Sequence, residues 1–162
     1  QDGVFDVGVS YISNIADSNT LQELEVGGTN VGEVDTRVAG ASAYLSATLG
    51  PVTLLGEHVG ALKHFTNGDL DGSVTNEERP SASNIELGVE LGGVTLAAGY
   101  QKTREALFLG LPETVTAATV AYAVTGGATL AAEYARQKDY AVSDGGSGEE
   151  ATTVTVQLAV EF

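Results

Sequence analysis

Ala151-Thr-Thr-Val-Thr-Val-Gln-Leu-Ala-Val-Glu-Phe162 alternates without a break. Val154, Val156, Leu158, Val160 and Phe162 fall on one parity, and Thr153, Thr155, Gln157, Ala159 and Glu161 on the other. Neighbouring side chains of a strand point to opposite faces, so this segment is a ribbon with one oily side and one small or polar side. An aromatic residue closing such a strand is what outer-membrane barrels present to their assembly machinery. The stretch therefore predicts a transmembrane β-barrel.

The same pattern recurs along the chain. Alternating segments can be drawn at roughly 3–15, 37–49, 52–65, 81–91, 94–106, 114–124, 128–141 and 151–162. The connections alternate short and long. Gly50-Pro51, Gly92-Gly93 and Thr125-Gly126-Gly127 are tight hairpins, whereas 16–36, 66–80, 107–113 and 142–150 are longer and polar or glycine-rich. A weak repeat marks the upward strands: Gly50-Pro-Val-Thr-Leu-Leu-Gly-Glu-His58 is similar to Gly92-Gly-Val-Thr-Leu-Ala-Ala-Gly-Tyr100 and to Gly126-Gly-Ala-Thr-Leu-Ala-Ala-Glu-Tyr134. Short turns on one rim and long loops on the other is the outer-membrane layout. The expected fold is all-β, an eight-stranded antiparallel up-and-down transmembrane β-barrel, with residues 1–162 as one domain.

Turn length sets which parities meet. Leu49 should pair with Val52 and Leu91 with Val94. At the third hairpin a two-residue turn would put Val124 on the wrong face. A three-residue turn with a bulge at Gly127 pairs Val124 with Ala128 instead. The apolar face then carries residues such as Val7, Leu45, Leu54, Leu87, Leu96, Val120, Leu130 and Leu158. Tyr11, Tyr100, Tyr122 and Tyr134 share it as interfacial anchors. Periodicity alone leaves the sense open, since a lipocalin-type soluble barrel would turn that face inward. Two features favour lipid. The opposite face is mostly Gly, Ser, Thr and Ala with a few Glu. The oily face becomes basic only late in the upward strands, at Lys102, Arg104, Arg136 and Lys138, about where an apolar band ~25 Å tall ends.

Composition agrees. The 162 residues hold 22 acidic and 7 basic side chains, a formal charge of −15. Nucleic acid needs clustered Lys and Arg, so it is excluded as a partner. Absence of Cys excludes disulfides and thiolate metal sites. No run approaches ~18 apolar residues, so a membrane crossing would have to use strands. Between positions 38 and 62, Glu57 and His58 are the only acidic or basic side chains. Gln1, in a chain without Met, reads as the start of a mature product after signal cleavage.

Several residues carry possible chemistry. In the lumen, Glu57 is expected opposite Tyr44 with a carboxylate–phenol hydrogen bond, Glu86 opposite Gly99 and Glu133 opposite Thr119, with Lys63 as the clearest inward cation. Inward carboxylates without bases must be hydrated, protonated or ion-bound. This suits either a wet plug of hydrogen-bonded side chains or a cation- or proton-binding lumen. The second long loop fits calcium-loop spacing: Asn67, Asp69, Asp71, Ser73, Thr75 and Glu78 supply oxygens at relative positions 1, 3, 5, 7, 9 and 12, with Gly72 at 6. Asn at position 1 and the lack of flanking helices point instead to a solvated loop. Asp144-Gly-Gly-Ser-Gly-Glu-Glu150 reads as an acidic, flexible loop, with a second divalent site as its other reading. Lys102, Arg104, Arg136 and Lys138 are expected to contact lipopolysaccharide phosphates or to snorkel at the interface. His58 and His64 share one outward strand face. Spacing sets no Ser or carboxylate beside either, so no enzyme is expected.

Leu111-Pro112-Glu113, Ala132-Glu133-Tyr134-Ala135 with Asp139-Tyr140-Ala-Val142-Ser143-Asp144-Gly145-Gly146, and Thr155-Val-Gln157-Leu158-Ala159-Val160-Glu161-Phe162 resemble the C-terminal portion of the siderophore-porin (LbtU-like) family. Gly50-Pro51 to Leu62 and Pro80-Ser-Ala-Ser-Asn84 add to the likeness, which covers about two-thirds of the chain. The resemblance implies a bacterial outer-membrane protein for passive transport or binding of small solutes, iron–siderophore complexes among them. An eight-stranded lumen is too narrow for a siderophore. That function would need a homo-oligomer, a wider barrel or a small-molecule ligand held on the loops. The other reading is a small structural or surface-interaction barrel with a closed lumen and acidic, calcium-type extracellular loops.

Overall fold

A computed structural model describes residues 3–13, 25–26, 29–30, 38–64, 78–124 and 127–160. Eight strands form one antiparallel up-and-down sheet. They are β1 (Val4–Ile12), β4 (Gly40–Leu49), β5 (Val52–Ala61), β6 (Ser81–Leu91), β7 (Val94–Arg104), β8 (Thr114–Val124), β9 (Ala128–Lys138) and β10 (Glu150–Val160), each paired with the next in that order. A two-residue hairpin, β2 (Glu25–Val26) with β3 (Thr29–Asn30), lies within the first long connection. Among the described strands β1 and β10 each have one neighbour, so the sheet is consistent with a barrel wall but has two free edges.

Val, Thr, Tyr and Leu on a two-residue period suit a pleated surface, and the hairpins set the register. Leu49 pairs with Val52 across Gly50-Pro51, where Gly50 has φ +60°. Leu91 pairs with Val94 across Gly92 and Gly93, at φ +57° and +91°. Glycine takes these left-handed values without steric cost, and they match the strand twist. At the third hairpin Val124 pairs with Ala128 and Gly127 has φ +79°, the expected three-residue turn ending in a left-handed glycine.

Among the described residues no apolar core lies beneath the sheet. Large apolar side chains on the oily parity are exposed: Val7 70%, Leu87 46%, Val120 43% and Leu158 65%. A soluble barrel of the lipocalin type would bury this face. Here the small parity is the better covered one: on β8, Ala117, Thr119 and Ala121 are half-buried while Ala118, Val120 and Tyr122 are exposed. So large an unburied apolar surface calls for a nonaqueous solvent.

Among the described residues, the fully buried apolar side chains Val38, Ala61, Ala106 and Tyr140 all lie at the long-loop end of the sheet. A polar knot holds that rim. Thr103, 1% exposed, donates its hydroxyl to the Pro112 carbonyl at 2.7 Å and lies 2.6 Å from the Tyr140 hydroxyl. Since the one Thr103 proton is used on Pro112, Tyr140 donates to Thr103, and its oxygen accepts the Ala106 N–H at 3.2 Å. Replacing Thr103 by Val keeps the shape and orphans two buried groups, a loss of about 1–3 kcal/mol. Urea unfolding of the T103V protein in lipid vesicles should show this decrease, with a similar one for Y140F and a loss in the double variant smaller than the sum of the two, because both singles break the shared Tyr140–Thr103 bond.

Candidate functional site

Register pairs carry one parity across the whole sheet. Gly8 faces Tyr44, Tyr44 faces Glu57, Glu57 faces Asn84, Glu86 faces Gly99, Gly99 faces Ala117, Thr119 faces Glu133, and Glu133 faces Thr155. The expected partners of Glu57, Glu86 and Glu133 are thus all found. Asp6 and Glu90 belong to the same face. Lys63 does not join them: it lies two residues past the end of β5, exposed at the rim.

The phenol of Tyr44 does not go to Glu57. It donates to Asp6 Oδ2 at 3.1 Å, one strand over. The cause is Gly8, directly opposite Tyr44 on β1. The ring lies over the glycine so closely that a Cβ there would fall 2.8 Å from Tyr44 Cζ. That position carries the hydroxyl toward β1 and away from β5. Glu57 is left exposed to solvent, as are Glu86 and Glu133.

The basic side chains occupy the opposite parity. Lys102 and Lys138 share one carboxylate, Glu113, at 3.7 and 4.0 Å, and Arg136 pairs with Glu150. Arg104 makes no ion pair among the described residues. Of the basic set expected to meet phosphate, three side chains therefore already have acidic partners within the sheet.

His58 differs from expectation. Its Nδ1 lies 2.7 Å from Ser83 Oγ, a hydrogen bond made possible because His58 and Ser83 are direct cross-strand partners. Spacing could not reveal this pair, since β5 and β6 are joined by a long connection whose length sets no register. No carboxylate is hydrogen-bonded to His58 among the described residues, and the far neighbour of Ser83 is Lys102. The pair lacks the third group that orients a catalytic imidazole.

Most of the calcium-type loop, Asn67 to Thr75, falls outside the described residues. Glu78, its last position, has Oε2 buried without a hydrogen-bond partner, and burial together with nearby Glu105 pushes its carboxyl above the usual range. No group of three or more His, Cys, Asp or Glu suited to a metal occurs among the described residues.

The 139–150 connection is held by its own hydrogen bonds and contains a short 3-10 turn, Val142–Asp144, a feature its glycine-rich composition did not suggest. Asp139 accepts from Ser147 Oγ at 2.6 Å, from Ser147 N at 2.8 Å and from Tyr140 N at 2.8 Å. These donors hold its carboxyl below the ordinary value. A depressed folded pKa means that the bonds act fully above the unfolded value, ~3.9, and are lost as pH falls through the folded one. Amide exchange should show Ser147 N–H protected at neutral pH and released in strong acid, with D139N unprotected throughout. Protection that persists in acid would contradict this.

A one-layer, up-and-down antiparallel sheet with an oily exposed face and a small, acidic opposite face defines an outer-membrane barrel wall. Residues 2–159 match the family described as Gram-negative porin, and the chain belongs to that family. Its place is accordingly the bacterial outer membrane. The chain is 30% identical over 112 residues to a UPF0422 protein of Coxiella burnetii (strain RSA 493 / Nine Mile phase I), an alignment covering 67% of this chain and 23% of that protein. It is 26% and 27% identical over 191 residues to UPF0422 proteins of Legionella pneumophila strains Lens and Philadelphia 1, covering 97% of this chain and 35% of each relative. The chain thus spans about a third or less of the length of these relatives. No solved structure matches it.

Proposed function

We propose that this sheet is the wall of a water-filled passage that admits small solutes passively. The observation that carries this reading is the acidic, small-residue face: Glu57, Glu86 and Glu133 stay exposed to solvent on it, and no strand residue on it is basic. Such a face has too little side-chain volume to make an interdigitated plug, and its carboxylates need water. Porin family membership supports the same role.

The seam between β1 and β10 supplies the width. Eight strands closed on themselves leave space only for side chains. In this sheet, however, β10 is exposed along its whole length on both faces. Free edges are not tolerated in lipid. Further strands completing the ring at that seam would satisfy both edges and enlarge the lumen. The likeness to siderophore porins supports iron–siderophore complexes as one class of solute.

Protein reconstituted into planar bilayers tests the passage. The expected result is stepwise ohmic conductance in potassium chloride. A flat trace at all voltages would remove the passage and favour the closed, structural barrel.

A further inference from the structure

We propose that the passage selects for cations, and that Asp6, Glu57, Glu86, Glu90 and Glu133 set this selectivity. The inference rests on the reading of the small-residue face as a passage wall. Its own basis is how the sheet sorts its charges. Every carboxylate just named shares the lumen parity, and no Lys, Arg or His in the eight strands does. Lys102, Arg104, Arg136, Lys138 and His58 all lie on the other parity. Three of these bases are paired there with Glu113 and Glu150, which offset two of their three charges. No positive side chain of the sheet therefore offsets the negative wall.

Glu57 faces Asn84, two residues from Glu86, so these two carboxylates are diagonal neighbours on adjacent strands, ~7–8 Å apart, while Glu133 stands farther along the wall. Glu86 faces Gly99, Gly99 faces Ala117, and Ala117 faces Ala135, next but one to Glu133. Three strand-to-strand steps of ~4.8 Å put Glu86 and Glu133 ~14 Å apart or more. That exceeds the ~10 Å screening length at 0.1 M salt. No single ion bridges them. Each instead raises the local concentration of mobile cations along the wall, as acidic rings do in cation channels. The solutes favoured are metal ions and neutral or cationic small molecules. A ferric complex with net negative charge would be opposed.

The test is the permeability ratio of potassium over chloride, read from the reversal potential of the reconstituted protein across a potassium chloride gradient. The parent chain should favour potassium on the order of tenfold at low salt. The ratio should fall toward one as salt is raised to 1 M, where the screening length shrinks to ~3 Å. The E57Q/E86Q/E133Q protein, checked as folded by heat-shifted gel migration, should show a ratio several-fold below the parent's at low salt, with Asp6 and Glu90 keeping it above one. A conducting parent with a ratio of one or below overturns the selectivity and leaves the passage standing. A parent ratio that the three substitutions do not move overturns the assignment to these carboxylates. A parent that does not conduct removes the passage itself.

Discussion

Every strand pair in this sheet meets in a register that keeps one parity toward lipid, and the rest of the structure depends on that agreement. The side-chain period is two, so a slip of one residue at any pairing would turn a whole strand over. A flipped β5, β6 or β9 would carry Glu57, Glu86 or Glu133 into the bilayer. On an insertion scale an acidic side chain at mid-bilayer costs roughly 3 kcal/mol. Two such errors would consume much of the ~5–15 kcal/mol that holds a typical domain together. The oily face works in the same direction, since Val7, Leu87, Val120 and Leu158 stay exposed on it among the described residues. Register is therefore enforced from both sides of the sheet.

Much of this was legible in the residues because turns carry register. Gly50-Pro51, Gly92-Gly93 and the bulged glycine at 127 tie β4 to β5, β6 to β7 and β8 to β9 over a countable number of residues. The faces of Glu57, Glu86 and Glu133 followed from that count. Features that depend on the long connections did not. His58 meets Ser83 across a connection whose length sets no register. Thr103 meets Tyr140 between β7 and the segment after β9, which are not neighbours in the sheet. Tyr44 chose Asp6 over Glu57 because a glycine on β1 made room for its ring, a packing effect that periodicity does not describe. Lys63 would point inward only if β5 ran on past Ala61, where it stops.

The two ends of the sheet serve different purposes. At the long-loop rim, Thr103, Ala106 and Tyr140 are buried and hydrogen-bonded, and Asp139 fastens the adjoining connection through Ser147. Below that rim the described residues form no apolar core, and the wall is held by the backbone ladder with a few cross-strand side-chain bonds such as Tyr44–Asp6 and His58–Ser83. The chain belongs to the Gram-negative porins and covers about a third of the length of its Legionella relatives.

The assignment of faces can be tested directly, since the chain has no cysteine of its own. Single cysteines at Thr95, Thr119 and Gln157, and at their strand neighbours Leu96, Val120 and Leu158, would be exposed to a water-soluble maleimide in lipid vesicles. The account expects rapid labelling at 95, 119 and 157 and protection at 96, 120 and 158. Labelling of the second set with protection of the first would contradict it.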